Sequence, residues 1–217
     1  MISIYPSLIS ADLLNLQKEI KNLEPYCAGF HIDIMDNHFV PNLTWGQMFV
    51  DAIGKITDKP LWVHLMVDNP SIFVDSLVLN ANSILTFHIE SVSDVKKISA
   101  RIENKNIIPS IAISPKTPVE KIFPFLNLVH HVLIMTVEPG FSGQDFLQSS
   151  VSKIDTLFAY CQFNGLKVKI GVDGGVGREN IGELAKKGVD SFAIGSGIFG
   201  YENRVEAIKK LYDLAGE

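Results

Sequence analysis

Residues 29–36 read Gly29-Phe30-His31-Ile32-Asp33-Ile34-Met35-Asp36. Side chains alternate along a strand, so His31, Asp33 and Met35 share one face while Ile32 and Ile34 take the other. One face carries the two isoleucines; the other carries an imidazole and a carboxylate. Residues 61–67, Leu61-Trp62-Val63-His64-Leu65-Met66-Val67, repeat the arrangement with Trp62, His64 and Met66 together. A third run ends in Asp173 and a fourth in His88. Ionisable groups therefore collect at the C-terminal ends of several strands, which is where parallel barrels keep their chemistry.

Working outward, short β-branched runs recur at roughly 25-residue intervals, with amphipathic stretches between them. The runs are 2–5, 29–34, 61–66, 83–88, 107–113, 131–136, 168–172 and 191–194. An open doubly wound sheet has the same alternation. The count of eight and the placement of the polar residues favour closure, and the expected architecture is α/β, a single (β/α)8 barrel spanning 1–217 as one domain. Asp12 is positioned to cap the first helix, whose Leu13, Leu16, Ile20 and Leu23 recur on the face expected to meet the barrel. Further helices are expected over 50–56, 70–79, 93–104, 119–126, 151–163, 180–187 and 205–215. No Pro/Gly/Ser-rich linker interrupts the series.

The composition excludes several classes. The 217 residues are 47% hydrophobic with 19 basic against 24 acidic side chains, and no segment concentrates the basic residues that a nucleic-acid partner requires. Mean hydropathy is +0.20, yet no run approaches about 18 apolar residues, so no membrane partner is expected. Cys27 and Cys161 form neither a metal-ribbon nor a redox motif, and with no signal sequence in the opening segment a reducing cytoplasm is the expected location.

His31, Asp33, His64 and Asp173 come from three strand ends and can together surround one divalent ion; imidazole and carboxylate donors suit Zn, Fe or Mn without choosing among them. Each histidine alone reads as an ordinary core residue, and the set is what points to a site. The turns Asp173-Gly174-Gly175-Val176-Gly177 and Gly195-Ser196-Gly197 offer backbone N–H groups for an anion, and barrels commonly hold phosphate after strands seven and eight. A turn over 138–144 after strand six is placed to close over a substrate. His38 reads as a loop hydrogen-bonder, His88 falls outside the catalytic set, and His130 and His131 begin a strand at the opposite end.

At this point the chain resembles the ribulose-phosphate 3-epimerases. The motifs PSLISADL, HIDIMDNHFVPN, VHLMV, TFHIE, MTVEPGFSGQ and VDGGVG appear in family order. The resemblance implies a metal-dependent interconversion of D-ribulose 5-phosphate and D-xylulose 5-phosphate through an enediolate. It implies Asp33 and Asp173 as the acid/base pair and His31, Asp33, His64 and Asp173 as ligands of one divalent ion. Met35, Met66 and Met135 correspond to the apolar rim, and Ser7, His64, Gly140, Phe141, Ser142, Gly143, Asp173, Gly174, Gly175, Gly195 and Ser196 to substrate and phosphate contacts. The implied partner is a small phosphorylated ketose, in a homo-oligomer.

Three positions depart from the family pattern: Asn37 replaces a glycine, Ser142 enters a loop usually written GFGG, and Trp62 stands where an acid often precedes the strand-three histidine. The last touches the metal, because such an acid can support a ligand. Three rivals remain beside the main reading. The first is a 3-epimerase of a longer ketose such as D-allulose 6-phosphate. A barrel decarboxylase needs an Asp-x-Lys-x-x-Asp array, and Met35 occupies its lysine position. A non-catalytic sugar-phosphate sensor does not need two acids.

Overall fold

The computed structural model describes residues 2–216 and has one eight-stranded parallel sheet. Its strands are β1 (Ser3–Pro6), β2 (Phe30–Met35), β3 (Leu61–Met66), β4 (Ile84–His88), β5 (Ile108–Ile113), β6 (His131–Met135), β7 (Lys169–Asp173) and β8 (Ser191–Ile194). Each strand from β2 to β8 pairs with the next in sequence, and β8 pairs with β1. The seam between β1 and β2 is drawn together by a Ser7–His31 bridge and by the Ala28 N–H donating to the Ile4 carbonyl at 3.0 Å. The barrel is thereby nearly closed, and each crossover carries a helix or a 3-10 segment.

The outward faces are almost uniformly aliphatic. Ile32, Ile34, Val63, Leu65, Leu85, Phe87, Ile111, Ile113, Val132, Ile134, Ile170 and Val172 join one core cluster beneath the helices. Each such side chain contributes about 1.5–3 kcal/mol over exposure. The helices are α1 (Leu16–Leu23), α2 (Gln47–Gly54), α3 (Pro70–Ser76), α4 (Val95–Glu103), α5 (Ser150–Asn164), α6 (Ile181–Lys186), α7 (Ser196–Phe199) and α8 (Arg204–Ala215). None is long and apolar enough to cross a membrane among the described residues.

Two expected helices differ in form. The first opens as a 3-10 turn over Leu13–Asn15 before α1 begins, because Asp12 accepts from the Leu14 N–H at 3.1 Å and from the Asn15 side chain at 2.7 Å. That tighter turn takes Leu13 out of the buried stripe: it is 50% exposed while Ile20 and Leu23 are buried. The stretch expected as a helix over 119–126 is a 3-10 helix, Val119–Leu128, with Pro124 inside it. Proline has no N–H and its ring meets the carbonyl four residues back, so an α-helical ladder cannot run through it. The helix expected to reach 79 stops at Ser76, where Lys105 Nζ donates to the carbonyls of Val74 and Leu77 at 2.7 and 2.8 Å. The short α7 after β8 was not expected from the sequence.

The barrel interior holds a smaller cluster that includes Tyr5, Trp62, Ile84, Ala112, Leu133, Met135 and Ala193. Trp62 is its centre. Its ring makes edge contacts with Tyr5, His31 and His131 at centroid separations of 5.3, 5.0 and 4.8 Å, and its indole N–H donates to Thr86 Oγ1 at 2.8 Å. Gly171 on β7 supplies the space: a Cβ there would lie 2.6 Å from the His131 ring and 2.8 Å from Trp62. Both neighbours are fully buried and have nowhere to move. Gly171→Ala is expected to destabilise the fold by about 1–3 kcal/mol through overpacking, read as a lower urea midpoint with an unchanged m-value; a midpoint equal to wild type would show that this layer is looser than described.

Candidate active site

The C-terminal mouth of the barrel forms a cleft lined by Ser7, Asp33, Met35, Met66, Met135 and Asp173, together with Gly140, Phe141, Ser142, Gly143, Gly174, Gly175, Gly195 and Ser196. Of the residues expected at the site, only His31 and His64 do not reach this wall; both are fully buried. His64, expected also as a substrate contact, lies behind this wall with its Nδ1 turned toward the carboxylates of Asp33 and Asp173. Ile9, Ser10, Val137 and Ala193 also line the cleft and were not singled out by sequence.

Strand register brings the polar set together. Asp33 on β2 pairs with His64 on β3, and Met135 on β6 pairs with Asp173 on β7. Asp33 Oδ2 accepts from Ser7 Oγ at 3.0 Å and lies 3.3 Å from His31 Nδ1. His64 Nδ1 lies 3.1 Å from Asp33 Oδ1 and 3.5 Å from Asp173 Oδ2. One ligand atom from each of His31, Asp33, His64 and Asp173 falls within 4.8 Å of the others. Neighbouring ligands on a tetrahedron with bonds of about 2.0–2.1 Å are separated by about 3.4 Å. Three contacts between these residues, at 3.1–3.5 Å, lie close to that edge, and one ligand atom from each stays within 4.8 Å of the rest, so the four residues fit a divalent ion.

Burial pushes the Asp33 carboxyl upward, but the charge and hydrogen bonds of His31 and His64 outweigh it and hold Asp33 well below the usual carboxylate range. Burial likewise pushes His64 down, yet its hydrogen bonds to Asp173 and Asp33 raise it to about 9. Without an ion, Asp33 and His64 thus offset each other's charge.

The backbone around it is braced from several sides. Thr44 Oγ1 donates to the Asp33 carbonyl at 2.8 Å and accepts from the Met35 N–H at 3.0 Å. Thr136 Oγ1 donates to the Asp173 carbonyl at 2.9 Å. Gly174 and Gly175 hold φ of 113° and 62°, and a Cβ on Gly174 would meet Val137 at 2.3 Å. Asn37, standing at the family's glycine, holds φ 58°, a conformation asparagine tolerates better than other non-glycine residues. His38 donates from Nδ1 to the Asp36 carbonyl at 2.8 Å, as a loop residue. Over the cleft, Gln144 ties its own turn to the carbonyls of Glu138 and Phe141, and Asn42 Nδ2 donates to the Gly140 carbonyl at 2.7 Å.

Residues 3–199 match the sequence family described as the ribulose-phosphate 3 epimerase family. A ribulose-phosphate 3-epimerase of Methanocaldococcus jannaschii is 41% identical over all of this chain and 92% of its own length. One from Bacillus subtilis is 36% identical over 97% of this chain and 98% of its own. The chain belongs to the ribulose-phosphate 3-epimerase family. It is an epimerase, an isomerase acting on carbohydrates. Among solved structures, a mutant tryptophan synthase α-subunit from Pyrococcus furiosus superposes with a TM-score of 0.66 at 14% identity, each chain fully covered, and shares the fold.

In this epimerase His88, expected from the sequence to fall outside the catalytic set, lies against the site. His88 Nε2 is 2.9 Å from His64 Nε2. No local motif announces that contact, since it joins the tips of side chains on adjacent strands. His131 sits in the floor, its Nδ1 2.8 Å from Ser110 Oγ and its ring against Trp62. Trp62 leaves His31 Nε2 without a hydrogen-bond partner among the described residues, whereas a carboxylate would have accepted its proton.

Burial, reinforced by Lys169, pushes the His131 imidazole from its usual 6.5 down to about 3. Between those values the unfolded chain binds a proton that the folded protein refuses, so stability is full above about 6.5 and is lost as pH falls toward about 3. Chelator-treated His131→Gln is expected to show a dependence of unfolding free energy on pH shallower by up to ~1.4 kcal/mol per pH unit in that window. Urea titrations at a series of pH values measure it, and parallel profiles would refute the assignment.

Proposed function

We propose that this epimerase interconverts D-ribulose 5-phosphate and D-xylulose 5-phosphate by removing and returning the hydrogen on C3, with Asp33 and Asp173 working from either side of the carbon. The observation that carries the reading is the approach of these two carboxylates from β2 and β7 to one cleft, within ligand-sharing distance of each other. The substrate is that of the curated relatives, named ribulose-phosphate 3-epimerases and aligned along nearly the whole chain.

Inverting the carbon requires one group to take the proton from one face and another to deliver a proton to the opposite face of the planar enediolate. Asp33, held ionised by His31, His64 and Ser7, is ready to accept a proton at neutral pH. Asp173, at the end of β7, serves the other face, and the roles exchange in reverse. Ser7 Oγ, already directed at Asp33 Oδ2, keeps that carboxylate oriented. Met35, Met66 and Met135 are 2–3% exposed and surround the reacting carbons with polarizable side chains that exclude water. The N–H groups of the turns at Gly174, Gly175, Gly195 and Ser196 receive the phosphate, and the turn from Gly140 to Gly143 covers the bound sugar.

His31, Asp33, His64 and Asp173 would hold one divalent ion of the Zn, Fe or Mn class. When bound, such an ion supplies Lewis acidity that lowers the cost of negative charge on the oxygens flanking C3.

Proton NMR in D₂O with ribulose 5-phosphate is expected to show exchange at C3 as xylulose 5-phosphate forms. Asp33→Asn and Asp173→Asn are each expected to lower kcat by at least about 10²–10⁴-fold. Near-native turnover by a folded Asp33→Asn protein would overturn the two-sided assignment. Faster exchange with D-allulose 6-phosphate than with the pentulose would move the substrate to the longer ketose.

A further inference from the structure

His88 and Glu90 have no part in the acid/base chemistry, yet they form a directed chain that ends on His64. Glu90 Oε1 accepts from the Ser114 N–H at 2.9 Å and from the Thr117 hydroxyl. Its other oxygen, Oε2, lies 3.1 Å from His88 Nδ1. His88 Nε2 in turn faces His64 Nε2 at 2.9 Å, with the two rings stacked at 5.0 Å and 24°. Phe39 covers the other side of His88 at 4.7 Å. The loop that sets Oε1 is itself fixed, because Lys153 Nζ from α5 donates to the carbonyls of Ser114 and Thr117 at 3.0 and 2.6 Å.

Proton counting gives this chain one direction. An ionised carboxylate only accepts, so the ring nitrogen facing Glu90 must carry hydrogen. A neutral His88 then has a bare Nε2, and of two nitrogens 2.9 Å apart one must donate; that donor is His64 Nε2. Once a divalent ion displaces the proton that the two acids otherwise hold on it, His64 presents its lone pair at Nδ1, the nitrogen that faces Asp33 and Asp173. We infer that Glu90 and His88 are positioning residues that fix the tautomer and ring orientation of His64, so that Nδ1 is presented to a divalent ion ready to ligate. The inference rests on the four-residue metal reading above. The partner of a ligating histidine's other ring nitrogen is here a second histidine, with the carboxylate one step further out.

Glu90→Gln tests the direction rather than the bulk. Two donors, Ser114 N–H and Thr117 Oγ1, converge on the Oε1 position, so the amide oxygen settles there and the NH₂ turns to His88 Nδ1. That reverses every hydrogen bond in the chain and places the His64 proton on Nδ1, where it blocks ligation. Zinc affinity, measured by competition with a chelating dye, is expected to fall about 10–100-fold with the thermal midpoint little changed. In zinc-loaded wild type, ring ¹⁵N shifts are expected to show His64 protonated at Nε2 and His88 at Nδ1, a readout that needs no variant to fold. His88 carrying its proton on Nε2 in that protein, or a folded Glu90→Gln binding zinc within about twofold of wild type, would overturn the chain alone. Failure of wild type to bind zinc at all would overturn the four-ligand reading and this inference with it.

Discussion

The Asp33 carboxylate is the constraint around which the mouth of this barrel is arranged. Only 3% of the residue is exposed, and an ionised carboxylate removed from water costs several kcal/mol unless partners replace its hydration. Ser7, His31 and His64 supply those partners from β1's end, β2 and β3. None of them is satisfactory alone: each buried imidazole also needs something to bond. The result is a set of polar groups that has to be buried together, and closing the sheet at the β1–β2 seam is what brings Ser7 to the other three.

Below this layer the interior changes character. Trp62 fills the floor with Tyr5, His31 and His131 around it, and Gly171 yields the volume its ring occupies. A large aromatic under a ligand histidine excludes water from beneath the site and also removes an acceptor, leaving His31 Nε2 unpartnered among the described residues. His64 stands in contrast. Its outer nitrogen has a partner, and through His88 and Glu90 it is connected to the loop after β5 and to α5. The two histidines of the cluster are thus supported differently, one by packing and one by hydrogen bonds.

Much of this was legible in the chain itself. Two-residue alternation put His31, Asp33 and Met35 on one face, and Trp62, His64 and Met66 on another, because the pleat allows no other arrangement once the strand is assigned. Glycine turns were legible from residue type, whereas the left-handed φ of Asn37 had only the family's glycine at that position to suggest it. The helices were less so where a local competitor intervened: Asp12 tightened the first turn and exposed Leu13, and Pro124 kept the segment after β5 in 3-10 form.

The sequence by itself determined the strands, their inward faces and the residue types offered at their ends, since these follow from periodicity over a few positions. Tertiary structure decided which tips meet. His88 against His64, Thr136 under Asp173, Lys153 clamping the 114–117 loop and His131 beside Trp62 are contacts between residues 24 to 69 positions apart. Their distances depend on the stagger and curvature of a closed sheet, and no local pattern carries that information.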